Sequence, residues 1–196
     1  WTNPVLVVGD SLSAEYDPIV SIPGFGSTAT AYADVTVPGW EAFSWVELCA
    51  ELRGGSFDFG GHKTFPSPWG EVFPVDPRVS GYEYNWAIPG VTAHDFATVL
   101  TATPLGNFAY YQVQQAIKGD LEDVDRAVVF LGGNEFRGNF GGIYDGTADT
   151  NAIINTLVAD VRTVLEFVLD ANPSLQVCLV NVPDTAATPN KQEAHP

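Results

Sequence analysis

Four short segments that read as core strands, separated by stretches of helical spacing, hold this chain to an α/β fold. The runs span residues 5–9, 82–87, 127–131 and 175–182. The first, Val5-Leu6-Val7-Val8-Gly9, has four apolar residues in succession, the pattern of a strand buried on both faces. The last two runs are aliphatic on both faces as well, so both are expected to be fully covered parallel strands. Helical patterns lie between the runs. Residues 40–52 place Phe43, Val46, Leu48 and Leu52 on one apolar side and stop at Gly54-Gly55. Residues 92–100 follow a Pro-Gly turn, and residues 110–118 form a short helix. Residues 150–171 repeat Ile153, Ile154, Leu157, Val161, Val164, Leu165 and Val168 at helical spacing. Asp149 or Thr150 caps that helix, and Asn172-Pro173 ends it. Strands alternating with helices predict a central parallel sheet in a three-layer α/β/α arrangement, and 196 residues suit one domain.

Charge narrows the partners. Lys and Arg total 8 against 24 Asp and Glu, a net charge of -16. Such a surface repels nucleic acid and anionic membranes, and it suits a small neutral substrate such as a lipid or carbohydrate ester. No apolar run is long enough to span a bilayer as a helix. The chain starts at Trp1 and contains no methionine, so it reads as a processed or trimmed product, with secretion or the cell envelope as the expected setting. Cys49 and Cys178 sit in apolar stretches and read as buried free thiols, with a disulfide between them as the other reading. No metal spacing or cofactor motif is present, and no cofactor is expected. Tyr144-Asp145-Gly146-Thr147-Ala148-Asp149 lacks a full calcium ligand set and reads as a turn. Residues 16–39 and 54–81 are long Gly-, Pro- and aromatic-rich loops. They read either as a wall or lid over a site or as surface excursions packing their own aromatics, among them Phe57, Phe59, Phe65, Trp69 and Phe73.

Three strand ends carry polar chemistry. The first run empties into Gly9-Asp10-Ser11-Leu12-Ser13. The second is followed by Pro89-Gly90-Val91-Thr92, and the third by Gly132-Gly133-Asn134-Glu135. Read singly, each is an ordinary turn or helix cap. Successive parallel strands share one carboxyl edge, however, and that edge is where α/β proteins bind ligands. Acyl transfer needs a nucleophile and donors for an oxyanion. Ser11 is the candidate nucleophile. The Gly90 N–H and the Asn134 side-chain amide are candidate donors, with Asp10 and Gly132 supporting the turns.

Taken together, the three blocks resemble the SGNH hydrolase superfamily, also called GDSL esterases/lipases, over about residues 4–184. The resemblance implies a flavodoxin-like fold and a two-step serine esterase mechanism. It also implies an oxyanion hole made of the Ser11 N–H, the Gly90 N–H and the Asn134 side chain. Glu135 stands where the family usually has Asp and supports the turn. The family's Asp-x-x-His block has no counterpart here, since Ala187 lies three residues after Asp184. The family's last strand and helix are also expected to be missing. His62 lies in a loop, His94 at a helix start and His195 in a polar tail, with His195 the weak candidate for a base. The expectation is that the general base comes from a segment not in this chain, a complementary C-terminal fragment or chain. Arg137 either meets a substrate carboxylate or pairs with a surface acid. A non-catalytic binding module on the same fold is the first alternative. A phosphoryl-transfer protein using Asp10 is the second, and the lack of a phosphate-cradling glycine loop with a lysine argues against it.

Overall fold

The computed structural model describes residues 3–15, 43–53, 55–64, 78 and 80–182. The central sheet has four parallel strands in the order β4-β1-β5-β6: β1 (Val5–Gly9), β4 (Asn85–Ala87), β5 (Arg126–Phe130) and β6 (Gln176–Leu179). A two-stranded antiparallel ribbon, β2 (His62–Thr64) with β3 (Ser80–Tyr82), stands apart from it. Five helices complete the described chain: α1 (Trp45–Arg53), α2 (Ala93–Leu100), α3 (Phe108–Glu122), α4 (Gly133–Tyr144) and α5 (Thr150–Ala171).

The sheet divides two apolar clusters, as expected of a three-layer α/β/α architecture. On one face, Leu6 and Val8 of β1 and Ala127 and Val129 of β5 pack with side chains of α2, α3 and α5. On the other, Val5 and Val7 meet Val46 of α1 together with Phe59 and Ala87. Because β1 is central and covered on both faces, all five of its residues are buried, which explains its unbroken apolar run. Each fully buried Val or Leu contributes roughly 1.5–3 kcal/mol through the water it sheds.

Several expected elements differ in the structure. The run at 82–87 is divided, with β3 ending at Tyr82 and β4 starting at Asn85 after a turn. Arg78 sets that turn: its guanidinium donates to the carbonyls of Glu83 (2.7 Å) and Asn85 (3.0 Å) and lies 3.6 Å over the Trp86 ring. Residues 54–81 therefore contain a hairpin rather than irregular chain alone. Phe59 is a core residue, since it stacks on Phe57 and packs edge-on to Trp45. Helix α1 starts at Trp45 rather than at residue 40, and only Val46 is buried in it. Phe43, Leu48 and Leu52 are exposed, so the apolar side expected there does not face the core. Helix α3 runs for 15 residues, longer than expected, because Asn107 caps its start and Leu121 anchors its end. Helix α5 matches its expected bounds, with Asp149 as its cap (Ala152 N–H to Asp149 Oδ1, 3.0 Å).

Strand β6 is shorter than expected and is not covered on both faces. It is the last strand at its end of the sheet, and Leu179 is 53% exposed. Both cysteines are free, but neither is buried: Cys49 is half-buried and Cys178 exposed. The whole of the 16–39 loop, Phe65, Trp69 and Phe73, and the tail with Asp184 and His195 lie outside the described residues.

Candidate functional site

The strand register levels the three polar turns. Gly9 is opposite Ala87 on one side and Phe130 on the other, so β1, β4 and β5 end together. Ser11, Gly90 and Gly132 follow those ends within two or three positions. Gly9 is required because the turn folds tightly back: a Cβ on it would meet Ser13 Cβ and Oγ at 2.8 Å. The Ser13 and Ala14 N–H groups donate to the Asp10 carbonyl at 3.0 and 3.1 Å, and Leu12 N–H donates to Asp10 Oδ1 at 2.9 Å. The turn is held from behind as well. Trp45 Nε1 donates to Ser13 Oγ (2.9 Å), and Asn85 Nδ2 donates to the Ser13 carbonyl (2.9 Å). Ser11 is left half-buried, with Ser13 and Asp10 buried around it.

The other two turns are joined to each other and to this one. Asn134 Nδ2 donates to the Val91 carbonyl at 2.7 Å, and Glu135 Oε1 accepts from Ala93 N–H at 2.5 Å. Residues 134 and 135 at the start of α4 thus grip the entry to α2, where Thr92 and Asp95 form a capping box. Asp10 Oδ2 lies 3.4 Å from where a Cβ on Gly133 would sit, which brings the β1 turn against the first residue of α4. Gly90 and Gly132 have φ of +83° and +115°. A side chain at Gly132 would also strike Val182 Cγ2 at 2.6 Å. Among the described residues, the Ser11 and Gly90 N–H groups have no hydrogen-bond acceptor. One hydrogen of the Asn134 amide is committed to Val91, leaving the second.

Burial raises the pKa of the acids at this rim. The Asp10 carboxyl is pushed up by desolvation, which outweighs the stabilising Leu12 N–H. Glu135 is raised first by burial and further by the Asp10 and Asp160 carboxylates, against the opposing Ala93 N–H. Its other oxygen, Oε2, is buried without a hydrogen-bond partner. Glu15, behind the Ser11 turn, is raised by burial although it accepts from Tyr82 N–H at 2.8 Å.

Of the candidate bases, His62 and His94 fall among the described residues, and neither has a hydrogen bond to Ser11. His62 on β2 is exposed and meets the Tyr82 ring edge-on. His94 does sit at a helix start, and its Nδ1 lies 3.3 Å from Asp160 Oδ2, bridging α2 to α5. Arg137 is exposed on α4. Among the described residues, no group of three or more His, Cys, Asp or Glu side chains is arranged to hold a metal ion. No helix among them is long and apolar enough to cross a membrane.

Helix α4 itself was not expected from the sequence. Its glycines at 133, 138, 141 and 142 mask the helical spacing of Phe136, Phe140 and Tyr144, the signal that reveals it. The cross-turn contacts of Asn134, Glu135 and Asp10 were equally illegible, since they depend on which strands neighbour β1.

No protein-family model matches the chain, and no curated protein or solved structure matches it significantly.

Proposed function

We propose that the chain is the nucleophile-bearing part of a serine esterase on a flavodoxin-like, SGNH-type fold. Ser11 attacks the carbonyl of a lipid or carbohydrate ester. The Ser11 and Gly90 N–H groups and the free hydrogen of the Asn134 amide receive the oxyanion, the alcohol leaves, and water releases the acyl group. The proton acceptor is a histidine from a segment not in this chain, a complementary C-terminal fragment or chain, and no cofactor takes part. Secretion or the cell envelope remains the proposed setting, in keeping with the acidic surface. The observation that carries this reading is the rim itself: a half-buried serine in a turn level with two others, its own N–H and that of Gly90 both lacking acceptors among the described residues.

Hydrolysis of p-nitrophenyl butyrate by the natural full-length protein tests it. Ser11→Ala is expected to lower kcat at least about 10³-fold. Asn134→Ala is expected to lower it roughly 10²-fold. Full activity in Ser11→Ala would overturn the reading.

A second reading, a non-catalytic binding module on the same fold, has one observation in its favour. Of the histidines among the described residues, His62 contacts Tyr82 and His94 contacts Asp160, and neither has a hydrogen bond to Ser11. Ligand binding without turnover in the full-length protein would favour it.

A further inference from the structure

The two candidate oxyanion donors come from strands that do not touch. Gly90 follows β4 and Asn134 follows β5, and β1 lies between those strands in the sheet. Two strand spacings, about 9–10 Å, separate β4 from β5, and no ladder bond joins them. The distance between the donors is therefore set above the sheet, where the described residues supply two hydrogen bonds. Asn134 Nδ2 holds the Val91 carbonyl, and Glu135 Oε1 holds the Ala93 N–H. The second bond meets a need of its own. Ala93 opens α2, so its N–H has no acceptor within the helix, and the residue is fully buried. The capping box does not serve it, because Thr92 Oγ1 takes the Asp95 N–H and the Asp95 carboxylate takes the Thr92 N–H. Glu135 is left with one bonded oxygen and one, Oε2, that is buried without a partner.

We propose that Glu135 is a positioning residue: its carboxyl sets how far apart the Gly90 and Asn134 donors stand, and its state of charge changes that separation. The inference rests on the esterase reading for the use of the donors, but not for the coupling between the two turns. The surroundings favour an uncharged carboxyl. Asp10 from the β1 turn and Asp160 from α5 face it, and both oppose a further negative charge. On α2, His94 is paired with Asp160 at 3.3 Å, and Asp95 is engaged by Thr92. Arg137 on α4 itself is exposed and makes no ion pair among the described residues. Burial, first, and these acids hold the proton on Glu135 beyond the usual carboxylate range. Below that raised pKa the carboxyl keeps its bond to Ala93 with no charge to solvate. Above it, charge on Oε2 calls for water, and reaching water moves the carboxyl relative to the start of α2. The Gly90 turn moves with it, because Val91 and Ala93 are both held from α4.

The test is a titration of amide resonances in the natural full-length protein between about pH 4 and pH 8. The Ala93 N–H, the Gly90 N–H and the Asn134 side-chain amide are expected to shift with one common midpoint above the usual carboxylate value. That step is expected to vanish in Glu135→Gln. The Leu12 N–H, bonded to Asp10, reports the neighbouring buried acid and identifies its share. Hydrolysis of p-nitrophenyl butyrate supplies a second reading. Glu135→Ala is expected to lower kcat about tenfold with KM within about twofold, because the donors act on the oxyanion rather than on the bound ester. Glu135→Gln keeps an acceptor for Ala93 and is expected to recover most of that loss. Its kcat, divided by that of the natural protein, is expected to rise with pH through the same midpoint. Separate midpoints for Ala93 and the two donors, or a step that survives in Glu135→Gln, would overturn the proposal. So would an unchanged kcat in folded Glu135→Ala. The titration needs neither a variant that could fail to fold nor turnover. Full activity in Ser11→Ala would therefore end the esterase reading alone, and the resonances would still decide whether Glu135 couples the two turns.

Discussion

The rim above β1, β4 and β5 and the flank made by β6 and α5 treat their side chains in opposite ways. At the rim, polar groups are taken out of water and paired: Glu15 and Asn85 bond backbone of another segment, Ser13 accepts from the Trp45 indole, and Asp10 accepts from the backbone of its own turn. At the flank, apolar groups are left in water: Val158 and Leu179 are each more than half exposed. Buried polar groups cost free energy unless paired, and exposed apolar groups forgo the burial that would stabilise them. Neither arrangement is what folding alone favours, so both regions are where ligands are expected to act.

The comparison breaks most readily at Gly132, which belongs to the rim but touches Val182 of the flank. Gly132→Ala forces a side chain into a positive-φ position and onto Val182, and is expected to cost about 2–5 kcal/mol. Urea unfolding measures it, and a cost within error of zero would show that the turn relaxes freely. A smaller effect separates the two stripes of one helix. Val164→Ala, at a fully buried position, is expected to lose roughly 1.5–2.5 kcal/mol. Val158→Ala, on the exposed stripe, is expected to stay within about 0.5 kcal/mol of the natural protein. Equal losses at the two sites would mean that the flank is covered in solution.

The buried acids give the comparison a pH dependence. Burial raises the carboxyl pKa of Asp10, Glu15 and Glu135, so the folded state holds their protons more tightly than the unfolded chain does. Their contribution to stability is fully present below the ordinary carboxylate pKa and is lost as pH rises through the raised values. Glu135→Gln, which stays neutral and keeps an oxygen for Ala93 N–H, is expected to flatten the decline of stability over that window. Chemical denaturation between pH 4 and pH 7 reads the change. An unaltered profile would assign the dependence to Asp10 and Glu15 alone.

What the sequence revealed follows from how local each signal is. Strand β1 was legible because it is buried along its whole length, and helix α5 because Leu157, Val164 and Val168 repeat at helical spacing on its buried face. The Gly-Asp-Ser, Pro-Gly and Gly-Gly-Asn turns were legible as strand ends, and the register does bring those ends level. Their mutual bonds were not, because Asn134 to Val91 and Glu135 to Ala93 span more than forty residues. Helix α4 was hidden by its glycines, and Phe59 passed for a loop aromatic because Gly60 and Gly61 follow it. Strand β6 looked fully covered because its composition is that of an interior strand, whereas exposure depends on what lies beyond the sheet edge.

The central claim is that Ser11 is a nucleophile set among oxyanion donors. A fluorophosphonate probe tests it most directly, with the natural full-length protein labelled, digested and mapped by mass spectrometry. The account predicts a single adduct on the peptide containing Ser11, formed far more slowly in Asn134→Ala. No adduct, or an adduct on another serine with Ser11 unmodified, would contradict it.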